Sequence, residues 1–201
     1  MSFFNVLWEG IKSTSVIEWI AVSSSIIYVI LAAKRLIICW FFGFFGSLLF
    51  VYLCYVGDLY IESFLHFFYV IMAVVGWFSW NSFSPNGAQI IKWQWMNHLL
   101  NFLLCGFASI MIGYIFDFFT SQANPYIDAI TTCYSLSATY MVTRKIIGNW
   151  IYWIVIDVVS IFLYAQQNYY LTAVQYGVFA LLAVYGYLTW KKEYYKQTIK
   201  T

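Results

Sequence analysis

The feature that most constrains this chain is a succession of long apolar runs separated by gaps too short to hold another fold. A membrane-spanning helix needs about 20 mostly apolar residues. Seven segments meet that need, roughly 16–33, 36–56, 59–80, 98–118, 126–143, 148–165 and 169–190. The only two prolines, Pro85 and Pro125, fall between runs, and the gap 81–97 carries the turn-forming stretch Asn-Ser-Phe-Ser-Pro-Asn-Gly. The chain is 63% hydrophobic and 9% charged over 201 residues, and ten basic and eight acidic side chains could not cover a soluble domain of that size. A soluble enzyme, a nucleic-acid binder and a disordered chain are excluded. Cys39, Cys54, Cys105 and Cys133 all lie inside apolar runs and read as small buried hydrophobes, not as a disulfide framework. The expected fold is an all-α polytopic protein of the lipid bilayer.

Charge placement gives the expected orientation. Residues 1–15 are no secretory signal, because Glu9 and Lys12 interrupt any apolar core. Phe3, Phe4, Leu7, Trp8 and Ile11 have helical spacing, which predicts an interfacial N-terminal segment. With seven spans, Lys34, Arg35, Lys92, Arg144, Lys145, Lys191, Lys192, Lys196 and Lys200 share one side, which is nine of the ten basic residues. The positive-inside rule then places the N-terminus outside and the tail 191–201 in the cytoplasm. The opposite loops carry Asp58 and the uncharged Gln166-Gln167-Asn168.

Sliding the chain against itself by 110 residues aligns the first three runs with the last three without a gap. Lys34-Arg35 falls on Arg144-Lys145, Glu18 on Asp128, Trp40 on Trp150, Tyr60 on Tyr170, Gly76 on Gly186 and Trp80 on Trp190. Two parallel three-helix repeats, 16–80 and 126–190, would be joined by a linking helix, 98–118, that restores a common orientation. Repeats of this kind point to a transporter with its substrate between the halves near the midplane.

Ionisable groups at membrane depth are costly and mark function. Only two lie well inside a run. Asp157 is about nine residues into the sixth, roughly 14 Å deep at 1.5 Å per residue, and His66 lies in the outer half of the third. Asp58, Glu62, Asp117 and Asp128 stand near run ends, within reach of water. Trp150, Trp153 and Asp157 follow i, i+3, i+7 spacing and share a helix face. Two indoles and a carboxylate suit a flat cationic ring. Glu62, His66 and Tyr69 share a face of the third run, and Thr172, Gln175 and Phe179 do so on the seventh. Trp80 and Trp190, at run ends, read as interfacial belt anchors, and Gly43 and Gly46 as helix-packing positions. No Walker-type loop is present, and His66 and His98 stand on separate runs without ligand spacing, so neither ATP hydrolysis, a cofactor nor a metal is expected.

The stretch Asn149-Trp150-Ile-Tyr-Trp153-Ile-Val-Ile-Asp157-Val-Val-Ser160, preceded by Thr143-Arg144-Lys145, resembles the signature of the PnuC family of bacterial vitamin transporters. The segment from Phe64 to Gly76-Trp77-Phe-Ser-Trp80 resembles that family's third helix, and the similarity runs from about 17 to 192. The resemblance implies a 3+1+3 arrangement related to the SWEET sugar transporters, a bacterial inner-membrane location and a homotrimer. It also implies facilitated diffusion of an unphosphorylated vitamin trapped by a cytoplasmic kinase. The expected substrate contacts are Trp150, Trp153, Asp157, His66, Tyr69, Gln175, Asn149 and Trp40. Nicotinamide riboside carriers of the family have Asn where this chain has Asp157 and Gln where it has His66. That pair of differences leans the reading toward thiamine, with nicotinamide riboside as the alternative and neutral riboflavin less favoured. A membrane receptor or assembly subunit without transport is the reading from another class.

Overall fold

The computed structural model describes residues 8, 10–57, 60–81, 89–119, 124–166 and 168–200. Among the described residues the chain forms seven long helices, named here α1 (Val16–Ala33), α2 (Cys39–Val56), α3 (Tyr60–Asn81), α4 (Trp95–Phe119), α5 (Pro125–Thr143), α6 (Asn149–Gln166) and α7 (Tyr170–Lys200). No strand forms among them, only one isolated parallel bridge between Ile91 and Ile146. Trp8 and residues 10–13 are helical, with Lys12 Nζ over the Trp8 ring at 5.2 Å. Residues 1–7 and 9 of the expected interfacial segment, residues 82–88 of the gap 81–97 and Asp58 lie outside the described residues.

Six of the seven helices are long and apolar enough to cross a bilayer. The exception is α5, 19 residues long and more polar than the rest, with Thr131, Thr132, Ser135, Ser137 and Thr139 along it. It is surrounded by α3, α4 and α6, so neighbouring helices cover much of the surface that an isolated span would show to lipid. A difference lies at the C-terminus. The sequence places a separate tail from 191, whereas α7 runs unbroken to Lys200. Hydropathy falls where the charges begin, but lysine and glutamate are good helix formers, and Glu193 pairs with Lys196 one turn on at 2.7 Å.

Local signals set the helix ends. Ser15 caps α1 by accepting from the Glu18 N–H at 3.2 Å, in the spacing of a capping box. Pro125 starts α5 in the first turn, where its missing N–H has no cost. The α1–α2 and α5–α6 turns are built alike. Arg35 and Lys145 both stand in the left-handed region, at φ 58° and 52°. The following N–H of Leu36 reaches back to Leu31 O at 3.0 Å, and that of Ile146 to Met141 O at 2.9 Å, which closes a Schellman turn at each helix end.

The helices pack in a ring, α1 on α2, α2 on α3, α3 on α5, α5 on α6, α6 on α7 and α7 on α1, while α4 packs on α5; α1–α3 and α5–α7 are called the first and second units below. The tryptophans hold the units together. Trp40 seats its indole where a Cβ on Gly76 would stand, and Trp150 does the same at Gly186, 2.6 Å from such a Cβ. Trp80 Nε1 donates to Thr143 O at 3.2 Å in the second unit, and Trp190 Nε1 donates to Ala32 O at 3.2 Å in the first. Trp80 is 8% exposed and Trp190 fully buried, so neither is the belt anchor expected from its place at a run end.

Candidate functional site

A cavity of about 380 Å³ lies between the two units. It runs from Glu18 and Asp128, near the first turns of α1 and α5, to Trp40 and Trp150, beside the hairpin turns that carry Arg35 and Lys145. The two ends differ in sign. Glu18, Glu62 and Asp128 stand toward one, and the positive ends of the α1 and α5 dipoles favour carboxylates there. The hairpin end is basic.

Seven of the eight residues singled out from sequence line this cavity: Trp40, His66, Tyr69, Trp150, Trp153, Asp157 and Gln175. Asn149 does not. It is fully buried in the turn before α6, where Nδ2 donates to Ile146 O at 2.6 Å, and so it caps a turn and forms no part of the wall. Gly43 also lines the cavity, and it is the packing position expected, because a Cβ there would lie 2.9 Å from the Tyr28 ring of α1.

Asp157 is 3% exposed, on the α6 face that also presents Trp153 and Ser160. Including it, four carboxylates among the described residues line the cavity, and no described lysine or arginine does. A charge held away from water is costly unless paired, so a cationic ligand would recover part of that cost at Asp157. Three further groups have unused hydrogen-bonding capacity. The Nε1 atoms of Trp40 and Trp150 and Nδ1 of His66 are buried without a protein partner. His66 stacks on Phe50 at 4.7 Å between ring centres and meets Tyr69 edge-on at 5.6 Å.

Sequence reasoning missed the polar wall from α5. Asp128, Thr131, Thr132, Ser135 and Thr139 all line the cavity. Thr131 and Thr139 spend their hydroxyl protons on carbonyls of their own helix, at 3.0 Å to Asp128 O and 2.8 Å to Ser135 O, which leaves oxygen lone pairs facing outward as acceptors. The spacing was a readable signal, since 128, 131/132, 135 and 139 follow one helical stripe. The opposite unit puts Val22, Tyr28, Val29 and Phe50 on its wall, interspersed with Ser25, Ser47 and His66, so the hydroxyl groups of α5 face a wall that mixes ring faces with polar groups. Tyr164 and Tyr176, stacked at 5.3 Å, were also missed.

On the hairpin side, outside the membrane-spanning segments, burial holds the Lys145 amine below the usual lysine range, with Arg35 adding to the effect. Glu193 is held below the usual glutamate range by its hydrogen bond to Lys196.

Apolar helices enclosing a polar, charged central cavity define a membrane transporter of small molecules. The match to known proteins agrees and extends it. The family profile for nicotinamide mononucleotide transporters matches residues 15–192, and the chain belongs to that family. Two similar relatives are both named nicotinamide riboside transporter PnuC, one from Escherichia coli (strain K12) and one from Shigella flexneri; each is 25% identical over 225 residues, covering 94% of either chain. The fold is similar to a crystal structure of the vitamin B3 transporter PnuC, with a TM-score of 0.75 and 21% identity, over 96% of this chain and 90% of that one. The relatives are transporters and not enzymes.

Proposed function

We propose that the chain takes up nicotinamide riboside, an unphosphorylated cation, by facilitated diffusion across the bacterial inner membrane. A cytoplasmic kinase would make the step one-way by phosphorylating what arrives. One observation carries this reading: among the described residues, four carboxylates and no lysine or arginine line the cavity. Such a wall favours a cation and disfavours a phosphate, which argues for the riboside over the mononucleotide of the family's title. The hydroxyl-rich α5 wall suits a sugar, and the Trp150 and Trp153 faces suit a planar cationic ring.

The lean to thiamine finds no support among the relatives, whose names carry nicotinamide riboside. Asp157 suits either cation and does not favour thiamine on its own. Trp40, His66, Tyr69, Trp150, Trp153, Asp157 and Gln175 are the proposed substrate contacts. The two units are proposed as parallel repeats of seven spans, α5 included, with the basic hairpin end and the α7 tail in the cytoplasm; the reciprocal Trp80 and Trp190 bonds support that symmetry.

Calorimetric titration of the purified protein with nicotinamide riboside, thiamine and nicotinamide mononucleotide tests the substrate. The riboside is expected to bind tightest and the mononucleotide at least about a hundredfold more weakly, as fits an anion held among carboxylates. Thiamine binding tighter than the riboside would overturn the assignment. Proteoliposomes loaded with a riboside kinase and ATP test transport, since a receptor without flux would accumulate no labelled phosphorylated product.

A further inference from the structure

At the basic end the two units meet through a layer of four indoles. Trp40 and Trp80 pack edge-on at 5.3 Å between ring centres, Trp150 and Trp190 at 5.4 Å, and Trp80 lies 6.2 Å from Trp190. The cavity stops at the first and third of these rings, and Trp80 and Trp190 do not line it. Ile90, 4% exposed, joins the same cluster, and its N–H donates to Gln197 Oε1 at 3.1 Å. A planar ring the size of a pyridinium cannot pass four indoles in contact. Release toward the basic side therefore requires this layer to part, as alternating access demands.

The fastenings of the layer are reciprocal. Each indole N–H of the central pair ends on a carbonyl of the opposite unit, as described above. Each hairpin adds a basic residue held in the left-handed region, a conformation that costs a non-glycine residue about 1 kcal/mol and persists only when surroundings fix it. Arg35, from the first unit, pairs with Glu193 of α7 at 3.2 Å. Lys145, from the second, lies over the Trp80 ring of the first at 4.9 Å. The Arg35 and Glu193 side chains are 27% and 29% exposed, so their pairing is weak and reversible, whereas the indole bonds are buried and stronger. Weak outer latches over a buried inner layer are what a barrier needs if it is to open in every cycle.

We propose that Trp80 and Trp190, latched by the Arg35–Glu193 pair and by Lys145 over Trp80, are the cytoplasmic gate of the transport cycle. The gate rests on the transport reading given above, but its test does not depend on which vitamin is carried.

The experiment uses the full chain in inside-out vesicles with Cys54 and Cys105 replaced by alanine. Two buried thiols remain: Cys39, beside Trp40 in the gate cluster, and Cys133, on α5 beyond it. The rate of their modification by a charged, membrane-impermeant maleimide is measured. Glu193→Gln is expected to raise the Cys39 rate about twofold to fivefold, the scale of a part-exposed ion pair. Trp190→Phe is expected to raise it about tenfold, because the buried indole bond between the units is lost and the smaller ring fills less of the layer. Cys133 should not change in either variant. Exchanging the pair as Arg35→Glu with Glu193→Arg should return Cys39 to its original rate. An unchanged Cys39 in both variants, a parallel rise at Cys133, or an exchange that restores nothing overturns the gate. Nicotinamide riboside binding, followed by tryptophan fluorescence in the same samples, reports on the substrate alone. Absent binding with the Cys39 pattern intact would remove the substrate assignment and leave the gate standing.

Discussion

A carboxylate at 3% exposure is costly unless something offsets it, and among the described residues no lysine or arginine lines the cavity around Asp157. Stability and binding should therefore move in opposite directions when that charge is removed. Asp157→Asn is expected to leave thermal stability equal or higher and to weaken binding of a cationic vitamin at least about thirtyfold, near 2 kcal/mol. Glu18→Gln, half-buried at the acidic end, should weaken binding about threefold or less. Calorimetry and a melting curve on the same samples check both, and equal losses in the two variants would place the cation elsewhere. Asp157 and Trp153 were legible in the sequence because charge and indole are rare deep inside an apolar run. Trp80 and Trp190 were misread because a tryptophan at a run end looks the same whether it faces lipid or the opposite unit. Their reciprocal donor bonds to Thr143 and Ala32 distinguish the two cases, and no single run carries that information.

At the scale of elements, apolar length was enough to find the helices, and what it hid was α5. Its hydroxyls lower its hydropathy below what a lone span needs, yet they are the residues that make the cavity wall polar. A helix can be this polar in a membrane when its neighbours cover it and its hydroxyls bond its own carbonyls. Thr132→Val together with Ser135→Ala should make α5 a better span and the cavity a worse site for a sugar. The expected result is an unchanged or raised melting temperature with riboside binding about threefold to tenfold weaker, the scale of one or two lost hydrogen bonds. A ligand with fewer hydroxyl groups should lose less. Unaltered riboside affinity would mean that the sugar does not rest on α5. The end of α7 was hidden for a different reason: hydropathy reports where lipid stops, not where a helix does.

At the scale of the whole molecule, a shift of 110 residues sets the hairpins, tryptophans and glycines in register along the sequence, but says nothing of how each unit reaches into the other. Gly76 and Gly186 are seats within a unit, whereas the Trp80 and Trp190 donor bonds run between units. Each unit lends an indole N–H to the end of the other's first helix: Trp190 of α7 donates to Ala32 O, which also accepts the Arg35 N–H, and Trp80 of α3 donates to Thr143 O. The chain is thus a pair of mutual complements on one thread, and the thread itself should be dispensable. Cut between α3 and α4 and co-expressed as two fragments, the protein is expected to reassemble, co-purify and take up vitamin, while either fragment alone should be degraded. Trp190→Ala in the second fragment should cut the yield of the first, although the two share no peptide bond.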